Sequence, residues 1–427
     1  MNNDKPVTDQ QKAGNIYEVN IRQYTTEGTF NAFAAHLPRL KDMGVDILWF
    51  MPVTPIGKVK RLGTLGSYYA CSSYTAINPE FGTMDDFKAL IATIHNMGMK
   101  VIIDWVANHT GRDHEWVAEH PDWYVRDANG NFSEQYGWAD VIHLDYTKMD
   151  MRKKMIESMC FWISECNIDG FRCDMAHLVP LEFWLDAKEQ CEELKSLFWL
   201  AECDHIEYHA VFDVTYAWEW MHVSEKVVKG MASIGQMKDV LFKYAQYPKG
   251  ARKLYFTSNH DENTWNGTEY EKYQGAAKAF AVFTLTWPGM PLIYSGQELP
   301  NVKRLKFFDK DFIDWKPTVV LHNFYKNMLA LRKANTCLHG DIQPDIIATG
   351  HDDKIFAYIL HDEKSKVLVL LNFSPVDKVR INIGHQVLEG PYKNVTSGLE
   401  YTLMATESFE MQAWEFMVYE GLQRLSY

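Results

Sequence analysis

The stretch "GFRCDMAH", Gly170 to His177, decides how the rest of the chain is read. Upstream, "FWISECNI" has the amphipathic spacing of a helix end. Downstream, "LEFWLDAKEQCEEL" has helical spacing again. The stretch between them is then a short buried strand whose charges stand at its C-terminal end. Arg172 precedes Asp174 by two residues, so the two side chains share one face of that strand. A buried strand that ends in a fixed cation beside a carboxylate holds either a structural ion pair or a chemical site.

Working outward, apolar strand-like runs alternate with helix-like ones. The strands are "NIYEVNI" (15–21), "VDILWFMPV" (45–53), "MKVIIDWVANHT" (99–110), "GFRCD" (170–174), "LFWLAE" (197–202), "VFDVTYAW" (211–218), "RKLYFTSNHD" (252–261) and "MPLIYSGQE" (290–298). The helices include "TFNAFAAHLPRLKDMG", ending at Gly44, "MDDFKALIATIHNMG", with an acidic first turn and a glycine stop, and "LHNFYKNMLALRKAN". Eight β–α pairs of near-continuous apolar strands predict a parallel (β/α)8 TIM barrel over 1–108 and 147–340. The irregular segment 109–146, rich in Trp, Asp, Asn and Gly, predicts a small insertion subdomain after the third strand. From 341 to 427, "KIFAYILHD", "KVLVLLNFS", "VRINIG" and "QAWEFMVYE" are short strands without helices. They predict a C-terminal antiparallel β-sandwich, so the fold class is α/β with an added β domain.

The 427 residues are 47% hydrophobic and 23% charged, which suits a large globular core. A net charge of −13 argues against a nucleic-acid partner, which would need a basic face. No apolar run is long enough for membrane insertion. The seven cysteines lack zinc-type or framework spacing, which suits a reducing compartment. The start "MNNDKPVTDQQKAGN" has no signal-peptide pattern. The expectation is a cytoplasmic protein, with export open if a leader has been removed. Oligomeric state is not legible.

In such a barrel the site lies at the C-terminal strand ends. The third strand ends in Asp104, Asn108 and His109, the fourth in Arg172 and Asp174, the fifth in Glu202, and the seventh in His260 and Asp261. Each alone has a bland reading: an ion pair for Arg172 and Asp174, a hydrogen-bond anchor for Asp104, a turn for "NHD". Together, in barrel order, they form a constellation suited to glycosidic bonds. One carboxylate attacks while the other protonates the leaving oxygen. Arg172 favours an ionised, oriented Asp174 as the attacker. Glu202, beside "FWLA" and near other carboxylates, is the candidate acid. The histidines suit sugar hydroxyls.

These motifs together resemble the α-amylase family, glycoside hydrolase family 13. "DWVANHT", "GFRCDMAH", "LAECD" and "FTSNHD" resemble its four signatures in order, and "GMPLIYSGQE" its eighth-strand signature. The resemblance covers essentially the whole chain. It implies Asp174 as nucleophile, Glu202 as acid/base and Asp261 as transition-state stabiliser. His109, Arg172 and His260 would complete the subsite around the attacked sugar, with Asp104 beside them. "SYYACSSYTAINPEFG" resembles the segment that supplies a stacking tyrosine, which would be Tyr69. The implied reaction is retaining hydrolysis of internal α-1,4-glucosidic bonds in starch or malto-oligosaccharides, through a covalent glycosyl-enzyme.

Two positions depart from the family pattern. His177 and Leu178 stand where these amylases often carry Lys-His, so His177 is a candidate contact on the leaving-group side. His143, in "VIHLD", stands where many carry a calcium-ligating aspartate. Calcium prefers hard oxygen donors. Asn108, Asp140 and Asp145 leave a site open, but the expectation is that no cofactor is required. A short insertion and a modest loop after the last strand predict an open cleft and cleavage within chains. The alternatives are an exo-acting α-glucosidase, a 4-α-glucanotransferase, or a non-catalytic glycan-binding or partner protein of the same fold. The last normally loses a catalytic carboxylate, and this chain keeps all three. An aldolase-type barrel would want a strand-end lysine or a phosphate-binding glycine loop, and neither is found.

Overall fold

The computed structural model describes residues 14–134, 136–340 and 342–422. The start read against an export signal lies largely outside the described residues, as do residue 341 and the end of the predicted sandwich, 423–427. Eight parallel strands close a barrel in chain order, each hydrogen-bonded to its neighbours. They are β1 (Ile16–Val19), β2 (Ile47–Phe50), β3 (Lys100–Trp105), β4 (Gly170–Cys173), β5 (Phe198–Ala201), β6 (Val214–Tyr216), β7 (Arg252–Tyr255) and β8 (Met290–Tyr294). Every strand lies within a run read as a strand from the sequence. The closing seam pairs Ile16 with Leu292 and Glu18 with Tyr294. Among the described residues, no helix is long and apolar enough to cross a membrane.

One predicted helix is divided. The run 29–44 forms two helices, Phe30–Ala34 and Leu37–Met43, because Pro38 lacks an N–H and its ring would clash with the carbonyl four residues back, at Ala34. Gly44, at φ 99°, caps the second helix in the left-handed region that glycine favours. The helix Met84–Asn96 begins with a reciprocal capping box between Thr83 and Asp86.

The connection after β8, read from the sequence as modest, is irregular over 295–321, up to the helix His322–Ala334. Long-range contacts order it. Ile313 N donates to Gln23 O at 2.8 Å, Gln23 Nε2 donates to Lys306 O at 3.0 Å, and Trp315 Nε1 donates to Tyr24 O at 2.7 Å. Between β3 and β4, the strands His109–Gly111 and Val141–His143 form an antiparallel pair with His109 opposite His143. This pair anchors the insertion against the barrel mouth.

Among the described residues, the C-terminal region holds eight strands: β9 (Asp345–Ile347), β10 (Ile355–His361), β11 (Lys366–Asn372), β12 (Val379–Gly384), β13 (Gly390–Asn394), β14 (Glu400–Leu403), β15 (Thr406–Met411) and β16 (Phe416–Gly421). Six form a sheet ordered β9-β10-β11-β16-β13-β14, and β12 pairs with β15 as a separate ribbon. β10 and β11 are apolar on both faces for a geometric reason. Phe356, Tyr358 and Leu360 join the barrel core, while Ile355, Ala357 and Ile359 join a second core with Ile381, Ile383 and Met411 of the ribbon. On the barrel side the rings of Phe280 and Phe373 stack at 4.0 Å, and the hydroxyls of Thr286 and Tyr358 meet at 2.6 Å.

Gly170 opens β4 where β5 comes closest. A Cβ there would lie 1.9 Å from the Phe198 carbonyl oxygen. Gly170→Ala is expected to push β4 off β5, cost about 3 kcal/mol or more, and displace Arg172. A thermal melt and a turnover assay check this, and a variant with wild-type Tm would show that the strands tolerate the shift.

Candidate active site

Arg172, at the end of β4, is fully buried and binds three carboxylates at once. Its Nη1 donates to Asp104 Oδ1 at 2.9 Å and to Asp174 Oδ1 at 2.8 Å, while Nη2 lies 2.8 Å from Glu202 Oε2. Its Nε donates to the Tyr216 hydroxyl at 3.2 Å. Its charged carbon sits 4.9 Å from the Trp49 ring centre, and Trp49 Nε1 donates to Asp104 Oδ2 at 3.2 Å. The residues arrive from β2, β3, β4, β5 and β6, so the barrel's closure builds this cluster.

A second buried pair stands beside it. His260 Nδ1 meets Glu18 Oε1 at 2.6 Å, and His260 Nε2 meets the Tyr69 hydroxyl at 2.9 Å. The Tyr69 hydroxyl also donates to Asp104 Oδ2 at 3.0 Å, which ties the two networks together. Burial works to lower the His260 pKa, but Asp261 and Glu18 outweigh it and hold the imidazole up to about 9. His260 is therefore a cation at neutral pH. Asp261 stays the most open of these carboxylates, 38% exposed, with Oδ2 3.3 Å from His260 Nε2.

The charges decide the protonation state of the site. Glu18, Asp104, Asp174, Glu202 and Asp261 are five carboxylates served by two cations, Arg172 and His260. Burial pushes Asp104 up to about 7, and pushes Glu18, Asp174 and Glu202 up as well, with Arg172 pulling each back. A surplus of buried negative charge retains a proton within the group. Glu202 is held differently from Asp174. Its Oε2 accepts the Met175 amide at 3.0 Å, and Met175 takes a left-handed backbone at φ 41° to present that amide.

His109 lies at the mouth as expected. Burial lowers its pKa to about 4, so the ring is neutral. Asn108 Nδ2 is 3.2 Å from His109 Nδ1 and 3.1 Å from His143 Nδ1. An amide that donates to both rings fixes their tautomers, leaving each Nε2 as the N–H. Burial also lowers His143 to about 4. Asp145 is turned away and accepts from Thr147 N at 3.0 Å, whereas Asp140 Oδ2 is buried without a hydrogen-bond partner. Among the described residues, no group of three or more His, Cys, Asp or Glu side chains converges as a metal site. His109 and His143 offer imidazole nitrogens rather than the hard oxygens calcium prefers, and the oxygen donors beside them are the Asn108 amide and Asp140.

Six of the nominated residues line one cavity of about 260 Å³: Tyr69, His109, Asp174, Glu202, His260 and Asp261. Asp104 and Arg172 lie beneath its floor. His177 stands outside that lining, beside Glu202, with its ring stacked on His205 at 5.2 Å. Several participants escape a reading of strand ends. Glu18 was legible only as a lone carboxylate in the apolar run "NIYEVNI". Trp49 and Tyr216 sat in runs that read as ordinary core, Phe307 comes from the loop after β8, and Trp265 from a single π-helical turn after β7.

A barrel mouth with paired carboxylates on adjacent strands, a shared arginine and a ring-lined cavity defines the chain as a glycoside hydrolase. The model of the alpha-amylase catalytic domain matches residues 8–316, and the chain belongs to that family, glycoside hydrolase family 13. It is 26% identical over 391 residues to the alpha-amylase MalA of Haloarcula japonica, covering 84% of this chain and 55% of the relative. The chain thus spans about half the length of that curated relative. Among solved structures, a maltogenic alpha-amylase from Thermotoga neapolitana superposes with a TM-score of 0.89 at 27% identity, over 97% of this chain and 99% of that one. An alpha-amylase from Lactobacillus plantarum gives 0.87 at 29%, over 97% and 100%.

The His260–Glu18 pair generates a pH prediction. Because the His260 pKa is raised from 6.5 to about 9, its contribution to stability is complete below pH 6.5 and is lost as pH rises through about 9. Glu18→Gln removes a source of that rise. The alkaline limb of the activity profile should move down by about one unit, tracked by an NMR titration of the imidazole. An unmoved limb would separate His260 from the working site.

Proposed function

We propose that the protein hydrolyses α-1,4-glucosidic bonds of malto-oligosaccharides and related α-glucans with retention of configuration. The observation that carries this reading is the sharing of one guanidinium by Asp174 and Glu202, from adjacent strands, with the Met175 amide added on Glu202 alone. Asp174 attacks the anomeric carbon as the C–O bond breaks, and Glu202 gives its proton to the departing oxygen. In the second half, Glu202 takes a proton from water, the water oxygen attacks the anomeric carbon, and Asp174 is released. Arg172 keeps an ionised Asp174 oriented. The His260 cation and Asp261 hold hydroxyls of the attacked sugar, Tyr69 stacks on its ring, and neutral His109 donates from Nε2. His177 serves the leaving-group side. The relatives named for alpha-amylase and maltogenic alpha-amylase activity support this substrate class.

The chemistry of the Asn108, His109 and His143 donors supports a reaction with no calcium requirement. Asn108 instead clamps the insertion to the barrel by bonding both rings.

Three measurements test these statements. Proton NMR of early products should show the α-anomer before mutarotation, and initial β-anomer would mean inversion. Asp174→Asn should lose at least about 10⁴-fold in kcat with Tm unchanged, whereas Glu202→Gln should lose far less on substrates with an activated leaving group than on maltotriose. Excess chelator should leave both Tm and activity unchanged, and a fall in either, restored by calcium, would refute the calcium-free reading.

A further inference from the structure

We infer that the cleft is walled off at its glycone end, so that the enzyme works inward from the non-reducing end of an α-glucan and releases one or two glucosyl units. This rests on the roles proposed above for Asp174 and Glu202, because they set the direction. The leaving group lies on the Glu202 side, with His177 and His205. The retained sugar lies toward Tyr69, His260 and Asp261.

On that second side, two loops meet. Leu65 N donates to Phe308 O at 2.8 Å, and Asp309 Oδ1 accepts from Thr64 N at 2.9 Å and Thr64 Oγ1 at 2.7 Å. The loop after β2 is thus joined by main chain to the loop after β8. Gly63, at φ 60°, lets them touch: a Cβ there would lie 2.5 Å from Phe308 Cβ. Arg22 locks the junction from below. It is fully buried, paired with Glu80 at 2.8 Å, and its Nη1 donates to Gly66 O at 3.2 Å and Phe307 O at 3.5 Å.

The inner face of this bridge is a wall of rings. Phe307 lies nearly parallel to Tyr69 at 6.3 Å, and Trp265 packs on Phe307 and on Phe308, each at 5.7 Å. Leu62, Trp265, Phe307 and Phe308 line the same cavity as Asp174 and Glu202. A short saccharide end fits it, and a chain running onward would have to pass through hydrogen-bonded backbone. This inference departs from the open cleft expected from loop lengths, because the loop after β8 is long enough to reach across.

The test compares maltoheptaoside p-nitrophenyl glycosides with a free non-reducing end and with that end blocked as the 4,6-O-ethylidene acetal, products being resolved by chromatography in the first few per cent of reaction. The free substrate should yield glucose or maltose first. The blocked one should react at least about 100-fold more slowly, since its extra group meets the wall. Replacing the rings (Trp265→Ala with Phe308→Ala) should raise the blocked-to-free ratio by about 10-fold or more. Equal rates on both substrates, with mixed oligosaccharides from the start, would overturn the wall and leave the hydrolytic reading intact. Full activity in Asp174→Asn would instead overturn the roles on which the direction rests.

Discussion

The site depends on one buried guanidinium. Arg172 has no exposed surface, and its planar fork divides among Asp104, Asp174, Glu202 and the Tyr216 hydroxyl. A cation there is tolerable only because carboxylates surround it, and the carboxylates are tolerable only because of the cation. Removing either side leaves an uncompensated buried charge. A lysine could not replace the arginine, since a point charge lacks the fork that sets one nitrogen on Asp104 and Asp174 and the other against Glu202. The barrel meets this demand by closing, because each partner sits on a different strand.

The same electrostatic accounting separates two chemically similar carboxyls. Asp174 and Glu202 are both buried and both bound to Arg172. The backbone at Met175, bent into a left-handed turn, gives one of them an amide and thereby a fixed orientation. Local strain is spent where position matters. The neutral pair His109 and His143 shows the opposite solution, in which one amide group fixes two tautomers and no charge is buried at all.

The barrel was legible because its strands are apolar runs punctuated by helices, and the acidic residues at their ends stand out against that background. Glu18 was not, since it sits inside β1 rather than at its end and finds its partner at His260. The break at Pro38 was readable in principle: the proline stands where a helix interior forbids it. The long β8 connection was not, because its shape comes from contacts with residues 22–24 and 64–65 rather than from local preference. Two-sided burial of β10 and β11 likewise looks like simple hydrophobicity in sequence. It acquires meaning only when the barrel and the ribbon are both in place.

The contact between Glu18, on β1, and His260, just after β7, spans 242 residues and reaches past β8, the strand that closes the ring against β1. During synthesis, β1 emerges first and waits for β8 to be made before the ring can shut. Closure by β8 is what sets β1, and with it Glu18, opposite His260. Turnover in this chain therefore requires a closed barrel, because the charge pair beside the site joins its first strand to its seventh.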